Sequence, residues 1–358
     1  MHPSLDLSEL GGEIGRLFMA GMPGTVLDSG TEILIRHHCL GGVILFSRNV
    51  EDPIQLYNLC NDLQKAAAKS ACGEPLFIAI DQEGGSVARL KEPFTIFPGN
   101  SSVGEDPESE TRAEEFARIT AQEMRLVGLN MNLAPVVDVR RGMPESHLVG
   151  RTFSDNPEKV ASLGSKVVKV LQNNGILSVA KHFPGLGRAS IDPHYHLPII
   201  DIVESEMQEI NLPPFKAAIA EGVSGIMTSH AIYPMLDEMY PSTLSKRIIS
   251  GLLRKQLGFK KLIVTDDLEM GAIKKKWGVP DGILLSFKAG ADILLVCQDQ
   301  NMVLEGMIKL RNSVLSGEIQ VKRVHQSLER ISKAKALFLK DRKKTSEETV
   351  RAYFSSKK

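Results

Sequence analysis

Residues 176–198 read ILSVAKHFPGLGRASIDPHYHLP, a short apolar run followed at once by a loop crowded with titratable side chains. The run from Ile176 to Ala180 predicts a buried strand. A packed core has little use for the lysine, the three histidines and the aspartate that follow, because each buried polar group needs a partner or costs free energy. We therefore predict that a buried strand ends here and that a functional site begins at its carboxyl end.

Seven further apolar runs resemble this one, and most are followed by a longer segment with helical spacing. Their near-continuous apolar character is typical of strands buried on both faces, as in a parallel sheet covered by helices. The alternation of strand and helix indicates βαβ units. The seven runs are Leu17 to Gly21, Gly42 to Phe46, Leu76 to Ile80, Met131 to Val137, Gly225 to Thr228, Leu262 to Val264 and Ile293 to Val296.

The segments between the strands carry recognisable helix signals. Asp52 is placed to cap one helix, and Pro53 suits its first turn. We predict the others at Glu110 to Leu126, Asn156 to Gln172, Glu204 to Ala220, Ser245 to Leu257, Asp281 to Ala289 and Val321 to Leu339.

Eight strand-and-helix units follow one another with no linker and no change in composition. This pattern favours an α/β fold with a single-domain (β/α)8 barrel of the TIM type over an open doubly wound sheet. We assign residues 1–340 to the barrel. Residues 341–358 form a polar C-terminal tail that we expect to be mobile.

Composition excludes several classes of function. Lysine plus arginine number 43 and aspartate plus glutamate also 43, so no net charge attracts nucleic acid or an anionic membrane. No run of eighteen apolar residues occurs, and the N-terminus lacks the apolar segment of a signal peptide. Four cysteines at wide spacings, without a CxxC pair, indicate neither a zinc site nor a redox motif and fit a reducing compartment. We expect a cytoplasmic protein without a nucleic-acid or membrane partner; the oligomeric state stays open.

Polar side chains follow six of the predicted strands at their carboxyl ends, the edge at which such barrels build active sites. Asp266, just after the seventh strand, is suited to act as a nucleophile, a general base or a metal ligand. Its neighbour Asp267 is expected to cap the following helix. The six positions are Arg48, Asp81, Asp138, Lys181 with His182, His230 and Asp266.

Asp192 and His194 are separated by one proline and form a local pair. A carboxylate beside an imidazole orients the ring, and histidine titrates near neutrality, so the pair suits proton transfer. The same spacing also fits a structural hydrogen bond within a turn. Both interpretations are open on the residues alone.

Another set of side chains is suited to orienting a hydroxyl-rich ligand. Lys181 is ambiguous, because a lysine desolvated at a barrel mouth can also form a Schiff base with a carbonyl substrate. The nearby glycines form neither GxGxxG nor a P-loop, so nucleotide binding is unsupported. The set comprises Asp81, Arg89, Arg151, Lys181 and His182.

A series of motifs extends over most of the chain. In order, they are GRLFMAG, GGVILFSRN, IDQEGGSVARL, LAPVVDV, GRTFSDNP, KHFPG, the DxH of Asp192 and His194, MTSHAIYP, PSTLS, VTDDLEM and AGADILLV. In these motifs the chain resembles the family 3 glycoside hydrolases, and within them the single-domain bacterial β-N-acetylglucosaminidases that act on cell-wall muropeptides.

The resemblance implies a retaining exo-β-N-acetylglucosaminidase of peptidoglycan recycling that acts on small carbohydrate substrates and needs no metal or cofactor. It implies that Asp266 is the nucleophile and that His194, paired with Asp192, is the acid/base. It also implies that Lys181 binds hydroxyl groups instead of forming an imine. The remaining positions that match the sugar-binding residues of the family are Asp81, Arg89, Arg151 and His182.

The chain departs from the family pattern in the loop that carries the pair. Where the family commonly reads GHGD this chain has Leu186 and Arg188, and where the family commonly has serine it has Pro193. Proline fixes its own φ and restricts the residue before it, so we expect a stiffer turn. The second αβα domain that many members carry is not expected here, which favours the N-acetylglucosaminidase branch.

Three rival functions stay open. Phosphate instead of water can attack the glycosyl-enzyme, which would make the protein a phosphorylase. A Schiff-base lyase would use Lys181 on a similar barrel. A non-catalytic sugar-binding barrel is the third, although such a protein would have no need of Asp266, Asp192 and His194 together.

Overall fold

The computed structural model describes residues 7–142, 146–340 and 345–357. Each of the eight predicted strands is present, and a short antiparallel hairpin of two more strands follows the third. The predicted bounds are correct to within a few residues, except that the fourth strand is shorter and the fifth is longer. The strands are β1 (Phe18–Gly21), β2 (Gly42–Leu45), β3 (Phe77–Ile80), β4 (Gln82–Gly84), β5 (Val87–Ala88), β6 (Met131–Asn132), β7 (Leu177–Phe183), β8 (Gly225–Thr228), β9 (Leu262–Val264) and β10 (Leu294–Val296).

Eight of these strands form one parallel sheet in the order β10-β1-β2-β3-β6-β7-β8-β9, with seven pairings between neighbours. A parallel bridge between Val264 and Ile293 joins the two ends, so the sheet closes on itself. The side chain of Asn132 extends the short β6 by accepting from the Gln82 N–H at 3.0 Å. The predicted (β/α)8 barrel is thereby confirmed.

Helices surround the barrel. Asp52 caps the helix that begins at Pro53, as predicted, since its carboxylate accepts from the N–H groups of Ile54 and Gln55. The segment predicted as one helix from 204 to 220 contains a π-helical stretch over Met207–Asn211, and Arg247–Gln256 is also π-helical. The α-helices are α1 (Leu7–Gly15), α2 (Ser29–His38), α3 (Pro53–Ala68), α4 (Asn100–Glu105), α5 (Ser109–Val127), α6 (Pro157–Asn173), α7 (Glu204–Glu206), α8 (Leu212–Ala220), α9 (Gly271–Trp277), α10 (Val279–Ala289), α11 (Gln300–Leu315), α12 (Val321–Phe338) and α13 (Glu347–Ser355).

The barrel strands are buried on both faces, which explains their near-continuous apolar sequences. Phe77, Ile78 and Ile80 of β3 each keep at most 1% of their surface exposed. Burying a side chain of this size stabilises the fold by about 1.5–3 kcal/mol. The core therefore provides a rigid support for the loops at the carboxyl ends of the strands.

One of these loops is the hairpin of β4 and β5. The Gln82 side chain holds it together, because its Oε1 accepts from the N–H groups of Arg89 and Leu90 at 2.9 and 3.0 Å. Gln82 is itself bonded to the next barrel strand through its main chain. The hairpin thus fixes the positions of Asp81, Glu83 and Arg89 relative to the barrel.

Part of the C-terminal segment is ordered, contrary to our expectation of a mobile tail. Ser346 caps α13, and Val350 and Phe354 are buried on one face of that helix. The ring of Phe354 lies 4.7 Å from that of Phe94, edge to face. Apolar residues four positions apart share a helix face, and here that face packs on the barrel. The proposed boundary at residue 340 stays a prediction, and residues 341–344 and 358 lie outside the described residues.

A disulfide joins Cys39, at the end of α2, to Cys72, before β3, with 6.0 Å between the two Cα atoms. The sequence spacing did not indicate this pair. Disulfides persist in oxidising compartments and are rare in reducing ones, so the pair does not support the reducing compartment that we expected. Within the described ranges, no helix combines the length and apolar character needed to cross a bilayer.

Candidate active site

Four charged side chains meet at the carboxyl ends of β3 and β7. The Lys181 Nζ lies 2.7 Å from Asp81 Oδ1 and 2.6 Å from Glu83 Oε1. Glu83 also accepts from Arg151 Nε and Nη2 at 2.8 and 2.9 Å, a two-pronged pairing that matches the planar guanidinium. We call this group, Asp81, Glu83, Arg151 and Lys181, the charged cluster.

The side chains at the centre of the charged cluster are buried, so their charges interact strongly and shift one another's pKa values. Lys181 and Glu83 side chains are only 2% and 1% exposed. Burial alone would raise the pKa of Glu83, but Arg151 and Lys181 outweigh it and hold that pKa far below its ordinary value. Burial alone would lower the pKa of Lys181, and here Asp81 and Glu83 raise it instead. Lys181 is therefore an ammonium group with two carboxylate partners.

Arg89 lies at the edge of this cluster. Its Nη2 is 3.5 Å from Asp81 Oδ2, and its guanidinium carbon is 5.7 Å from the centre of the Phe46 ring. Asp81 therefore bridges Arg89 and Lys181, which are far apart in sequence. The predicted residues Asp81, Arg89, Arg151 and Lys181 thus form one group of fixed donors and acceptors around Glu83, as orientation of a hydroxyl-rich ligand requires.

His182 follows Lys181 within β7, so both lie on the strand and not on the loop where they were predicted. The His182 Nδ1 lies 2.7 Å from Asp138 Oδ2. The other oxygen of Asp138 accepts from the main-chain N–H groups of His182 and Leu186 at 3.2 and 2.6 Å. Asp138 therefore orients the imidazole and the start of the following loop together, leaving Nε2 of His182 as the ring atom directed away from this pair.

Asp266 lies two residues beyond the end of β9, and its Oδ1 accepts from the N–H of Asp267 at 2.9 Å. Burial alone would raise its pKa, but the neighbouring His230 and His182 outweigh that effect. The Asp267 N–H and Lys181 act in the same direction. The pKa of Asp266 is therefore held below its ordinary value, and the carboxylate is ionised and available as a nucleophile or base.

Asp267 does not cap the following helix, contrary to our expectation. Its Oδ1 accepts from the N–H of Glu269 at 3.0 Å and from that of Cys297 at 3.3 Å, while α9 begins only at Gly271. Burial raises the pKa of Asp267 to about 7, and the nearby charges of Glu269 and Asp266 add to this effect. Asp267 fastens the segment that carries Asp266 to the adjacent barrel strand.

His230 supports the same segment from β8. Its Nε2 lies 2.8 Å from the carbonyl oxygen of Asp267, and its Nδ1 lies 2.8 Å from Thr243 Oγ1. Because a carbonyl only accepts, Nε2 carries the proton in this bond. Burial lowers the pKa of His230 although Asp266 opposes the shift. The other strand-end cation, Arg48, donates to the main-chain oxygens of Met22 and Cys297 and so has a structural role.

Asp192 and His194 form the predicted pair. Asp192 Oδ1 accepts from the main-chain N–H of His194 at 2.9 Å and lies 2.6 Å from His194 Nδ1. The aspartate side chain is 21% exposed and the histidine side chain 56% exposed. Burial alone would raise the pKa of Asp192, but its hydrogen bonds from His194 hold that pKa below its ordinary value. The pair thus presents a carboxylate-oriented imidazole at the open side of the site, as proton transfer requires.

The loop that carries the pair is held at both ends. Leu186 is buried, and Arg188 Nη2 lies 2.5 Å from Glu206 Oε1 at the start of the helices that follow. Pro193 is buried, and the carbonyl of Asp192 before it accepts from the main-chain N–H groups of Tyr195 and His196 at 3.1 and 3.0 Å. Pro193 therefore lies in a tight turn, while Leu186 and Arg188 fix the loop upstream of it.

His147 contacts Arg151 of the charged cluster and is not among the residues predicted from the sequence. Both of its ring nitrogens are buried and have no hydrogen-bond partner among the described residues, whereas its carbonyl accepts from Arg151 Nη1 at 2.9 Å. Burial lowers the pKa of His147 to about 4, against the opposing charge of Asp192. A neutral imidazole offers one donor and one acceptor, the combination that a ligand hydroxyl needs. Residues 143–145, just upstream, lie outside the described residues.

Glu83 is the second missed residue. The motif IDQEGGSVAR contains both Asp81 and Glu83, and the alternation of the two carboxylates about Gln82 was the available signal. Over the described part of the chain, no group of three or more histidine, cysteine, aspartate and glutamate side chains is arranged to hold a metal ion. The absence of a cofactor stays an expectation.

Comparison with known proteins points to one family. The family described as "Glycosyl hydrolase family 3 N terminal domain" matches residues 11–334. Beta-hexosaminidase A of Pseudoalteromonas piscicida is 36% identical over 332 residues, which cover 87% of this chain and 56% of that protein. The chain thus spans little more than half the length of that relative. Beta-hexosaminidase of Stenotrophomonas maltophilia is 34% identical over 290 residues, covering 79% of this chain and 84% of that protein.

Among solved structures, a family 3 β-N-acetylglucosaminidase from Paenibacillus sp. superposes with a TM-score of 0.90 and 36% sequence identity. The match covers 97% of this chain and 68% of that chain. The similarity therefore extends over nearly all of this chain.

Proposed function

The chain belongs to the family 3 glycosyl hydrolases, and from this membership and the geometry of the site we propose that it is a retaining exo-β-N-acetylglucosaminidase. It removes terminal N-acetylglucosamine from small muropeptide-like β-glycosides by double displacement. The observation that carries the proposal is the presence of two separate reactive centres: an ionised carboxylate at Asp266 and a carboxylate-oriented imidazole at His194.

Asp266 attacks the anomeric carbon and forms a covalent glycosyl-enzyme. The proposal rests on its ionised state, which the nearby histidines maintain despite burial, and on its fixed position. One oxygen is held by the Asp267 N–H, and the rest of the segment is fastened by Asp267 and His230. A nucleophile that is pre-positioned in this way needs little reorganisation in the transition state.

His194 gives its proton to the leaving oxygen in the first step and removes a proton from water in the second. Nδ1 faces Asp192, so Nε2 is the atom that exchanges the proton with the substrate. The negative charge of Asp192 stabilises the imidazolium in the steps where His194 holds the extra proton. General acid/base catalysis of this kind contributes about 10²–10⁴-fold to the rate.

The charged cluster, together with Arg89 and His182, binds the N-acetylglucosamine unit. Lys181 and Arg151 are held in place by Glu83 and offer their remaining N–H groups to sugar oxygens. Asp81 accepts hydrogen bonds from hydroxyl groups through the lone pairs that Lys181 and Arg89 do not use. Because the cluster is rigid before the sugar arrives, little ordering entropy is lost on binding.

The proposal is tested by comparing hydrolysis of a chromogenic β-N-acetylglucosaminide with that of the matching β-glucoside. We expect turnover of the first, much slower turnover of the second, and almost none of either with Asp266→Ala, whose circular dichroism should match that of the wild type. Equal turnover of the two substrates would remove the N-acetylglucosaminidase assignment. A variant that keeps most of its activity would remove Asp266 as the nucleophile.

A second candidate is phosphorolysis, which the imidazole acid/base and its exposure favour. His194 is 56% exposed, and a neutral or cationic imidazole repels an incoming phosphate less than a carboxylate would. Product analysis with and without phosphate separates the two functions. Formation of a sugar 1-phosphate that depends on added phosphate would replace hydrolysis as the proposed reaction.

The lyase alternative is disfavoured by the state of Lys181. A Schiff base requires a neutral amine, whereas Asp81 and Glu83 raise the pKa of Lys181 and keep it protonated. The alternative of a non-catalytic sugar-binding barrel does not explain why Asp192 orients the His194 imidazole. Borohydride trapping with a carbonyl substrate, which we expect to leave Lys181 unlabelled, tests the first alternative directly.

A role in peptidoglycan recycling follows from the proposed substrate class. Aromatic residues make up only 5% of the chain and offer few surfaces on which a long polysaccharide could stack, which favours a small substrate. A cytoplasmic location would suit recycling and remains part of the proposal. The Cys39–Cys72 disulfide counts against it, because such bonds are rare in reducing compartments.

A further inference from the structure

The loop that carries the Asp192–His194 pair is bonded to the first turn of α9 through its main chain. The N–H of Gly271 donates to the carbonyl oxygen of His194 at 2.8 Å, and the N–H of Ala272 donates to that of Pro193 at 3.2 Å. Both carbonyls belong to the turn in which His194 sits. The acid/base loop therefore docks on the helix that follows the nucleophile.

These two bonds also give the first two N–H groups of α9 their hydrogen-bond partners. The first N–H groups of an α-helix have no partner within the helix and are usually satisfied by a capping side chain. In α9 the capping position is Met270, whose side chain makes no capping hydrogen bond. The carbonyl oxygens of Pro193 and His194 take that place, so the loop and the helix satisfy each other.

Gly271 permits this approach because it has no side chain. A Cβ atom at this position would lie 2.6 Å from the carbonyl oxygen of Tyr195 and 2.8 Å from that of His194. Both obstacles are main-chain atoms, which cannot rotate away as the end of a flexible side chain can. The φ angle of Gly271 lies outside the left-handed region, so alanine suits the backbone and only the space is lacking.

The same short segment carries the nucleophile. From Asp266 to Gly271 the chain is fixed by the Glu269 N–H on Asp267 Oδ1 and by the Met270 N–H on the Asp267 carbonyl, at 3.0 Å each. A loop fastened to Gly271 is thereby fastened relative to Asp266. The structure thus relates the two proposed reactive centres through a short series of hydrogen bonds, one of which is accepted by the Asp267 side chain.

We propose that Gly271 is a positioning residue that holds the acid/base loop in register with the nucleophile. The proposal rests on the proposed function and deepens it. It predicts that adding one methyl group at Gly271 displaces His194 while leaving Asp266 and the charged cluster in place. The loss should then be one of proton transfer to the leaving group and not of sugar binding.

The experiment measures kcat/KM of Gly271→Ala for aryl β-N-acetylglucosaminides with good and poor leaving groups. We expect a fall of about 10- to 100-fold with the poor leaving group, at or below the lower end of the contribution of general acid catalysis because the acid is displaced and not removed, and less than about threefold with a dinitrophenyl group that needs no proton. Gly251→Ala is the matched control, because a Cβ there meets only the Lys246 carbonyl oxygen, at 3.8 Å. Equal losses with both leaving groups, or none, would overturn the proposal.

A double-mutant cycle separates positioning from a general structural effect. If Gly271 acts through His194, Gly271→Ala should cost nothing further in the His194→Ala background. A full additional loss would overturn the proposal. Failure of the wild type to hydrolyse any β-N-acetylglucosaminide would instead remove the proposed function, so the two failures are distinguishable.

Hydrogen exchange of the wild type gives a readout that does not depend on a variant folding. The amide hydrogens of Gly271 and Ala272 should be protected, as in the interior of a helix, because the loop carbonyls accept from them. Exchange of both at the rate of an exposed loop would show that the docked arrangement is not populated and would overturn the proposal.

Discussion

Glu83 Oε1 lies 2.6 Å from Lys181 Nζ, and both side chains are almost completely buried at the mouth of the barrel. The same carboxylate pairs with both prongs of Arg151. Two cations that we propose to bind the substrate are therefore held by one buried anion. Glu83 itself matches no position in the predicted binding set.

Replacing Glu83 with glutamine tests how much the negative charge of Glu83 contributes to stability and to substrate binding. Lys181 and Arg151 would lose their common anionic partner in a buried site, and breaking a buried ion pair costs about 3–5 kcal/mol. We expect the free energy of unfolding, measured by urea titration, to fall by an amount of that order and KM to rise. Glu329→Gln, at an exposed pair with Lys333, is the control and should leave the unfolding curve unchanged. Matching curves for the two variants would contradict a structural role for Glu83.

Replacing Asp192 with asparagine keeps the shape of the pair and removes its charge. The Oδ1 atom can still accept from the His194 main chain, but the imidazolium that forms during proton transfer loses its carboxylate partner. We expect kcat/KM to fall by about 10-fold or more for substrates with poor leaving groups and to change little for activated ones. Asp201→Asn, exposed and farther along the same loop, is the control. Equal losses with both substrate types would show that Asp192 acts on something other than the proton.

The raised pKa of Asp267, about 7, predicts a specific pH dependence of stability. The ordinary value is 3.8, so between about pH 4 and pH 7 the folded protein holds a proton there that the unfolded chain releases. This contribution to the free energy of unfolding is fully present below about pH 4 and is lost as the pH rises through about 7.

Asp267→Asn removes this titration while keeping an oxygen that can accept from Glu269 and Cys297. Urea titrations across this pH range should show that the wild type loses stability relative to the variant as the pH rises. A constant difference between the two proteins across the range would show that Asp267 does not titrate in this way.

The barrel could be predicted from the sequence because its signals are local. The apolar runs, the helical spacing between them and the Asp52 cap each depend on neighbouring residues, and the structure has all of them. The Asp192–His194 pair was predictable for the same reason, since the two residues are two positions apart. Short-range sequence patterns were therefore sufficient to predict the fold class and the Asp192–His194 pair of the candidate site.

The features that sequence reasoning missed depend on contacts between distant residues. Glu83 and Lys181 are 98 positions apart, and only the hairpin after β3 turns the glutamate toward the lysine. The Cys39–Cys72 bond spans 33 positions without a motif. The docking of His194 on Gly271 joins a loop to the first turn of a helix through main-chain atoms, which leave no pattern in side-chain identity.

The Cys39–Cys72 bond should add measurably to stability. In the chain-entropy account, closing a loop of this length stabilises the fold by about 3–4 kcal/mol. A Cys39→Ser, Cys72→Ser variant should lose stability of that order against the oxidised wild type in urea. Thiol titration of the unfolded wild type without reductant should find two of the four cysteines reactive. Four reactive thiols would show that the bond does not form in the protein as isolated.

In the proposed mechanism, Asp266 forms a covalent bond to the sugar. The most direct measurement treats the enzyme with a fluorinated β-N-acetylglucosaminyl fluoride that slows breakdown of the glycosyl-enzyme, digests it and locates the added mass by tandem mass spectrometry. We expect one labelled peptide, with the sugar on the carboxylate of Asp266, and no label in Asp266→Ala. Label on another residue, or turnover that leaves the wild type unlabelled and releases the inverted sugar, would contradict it.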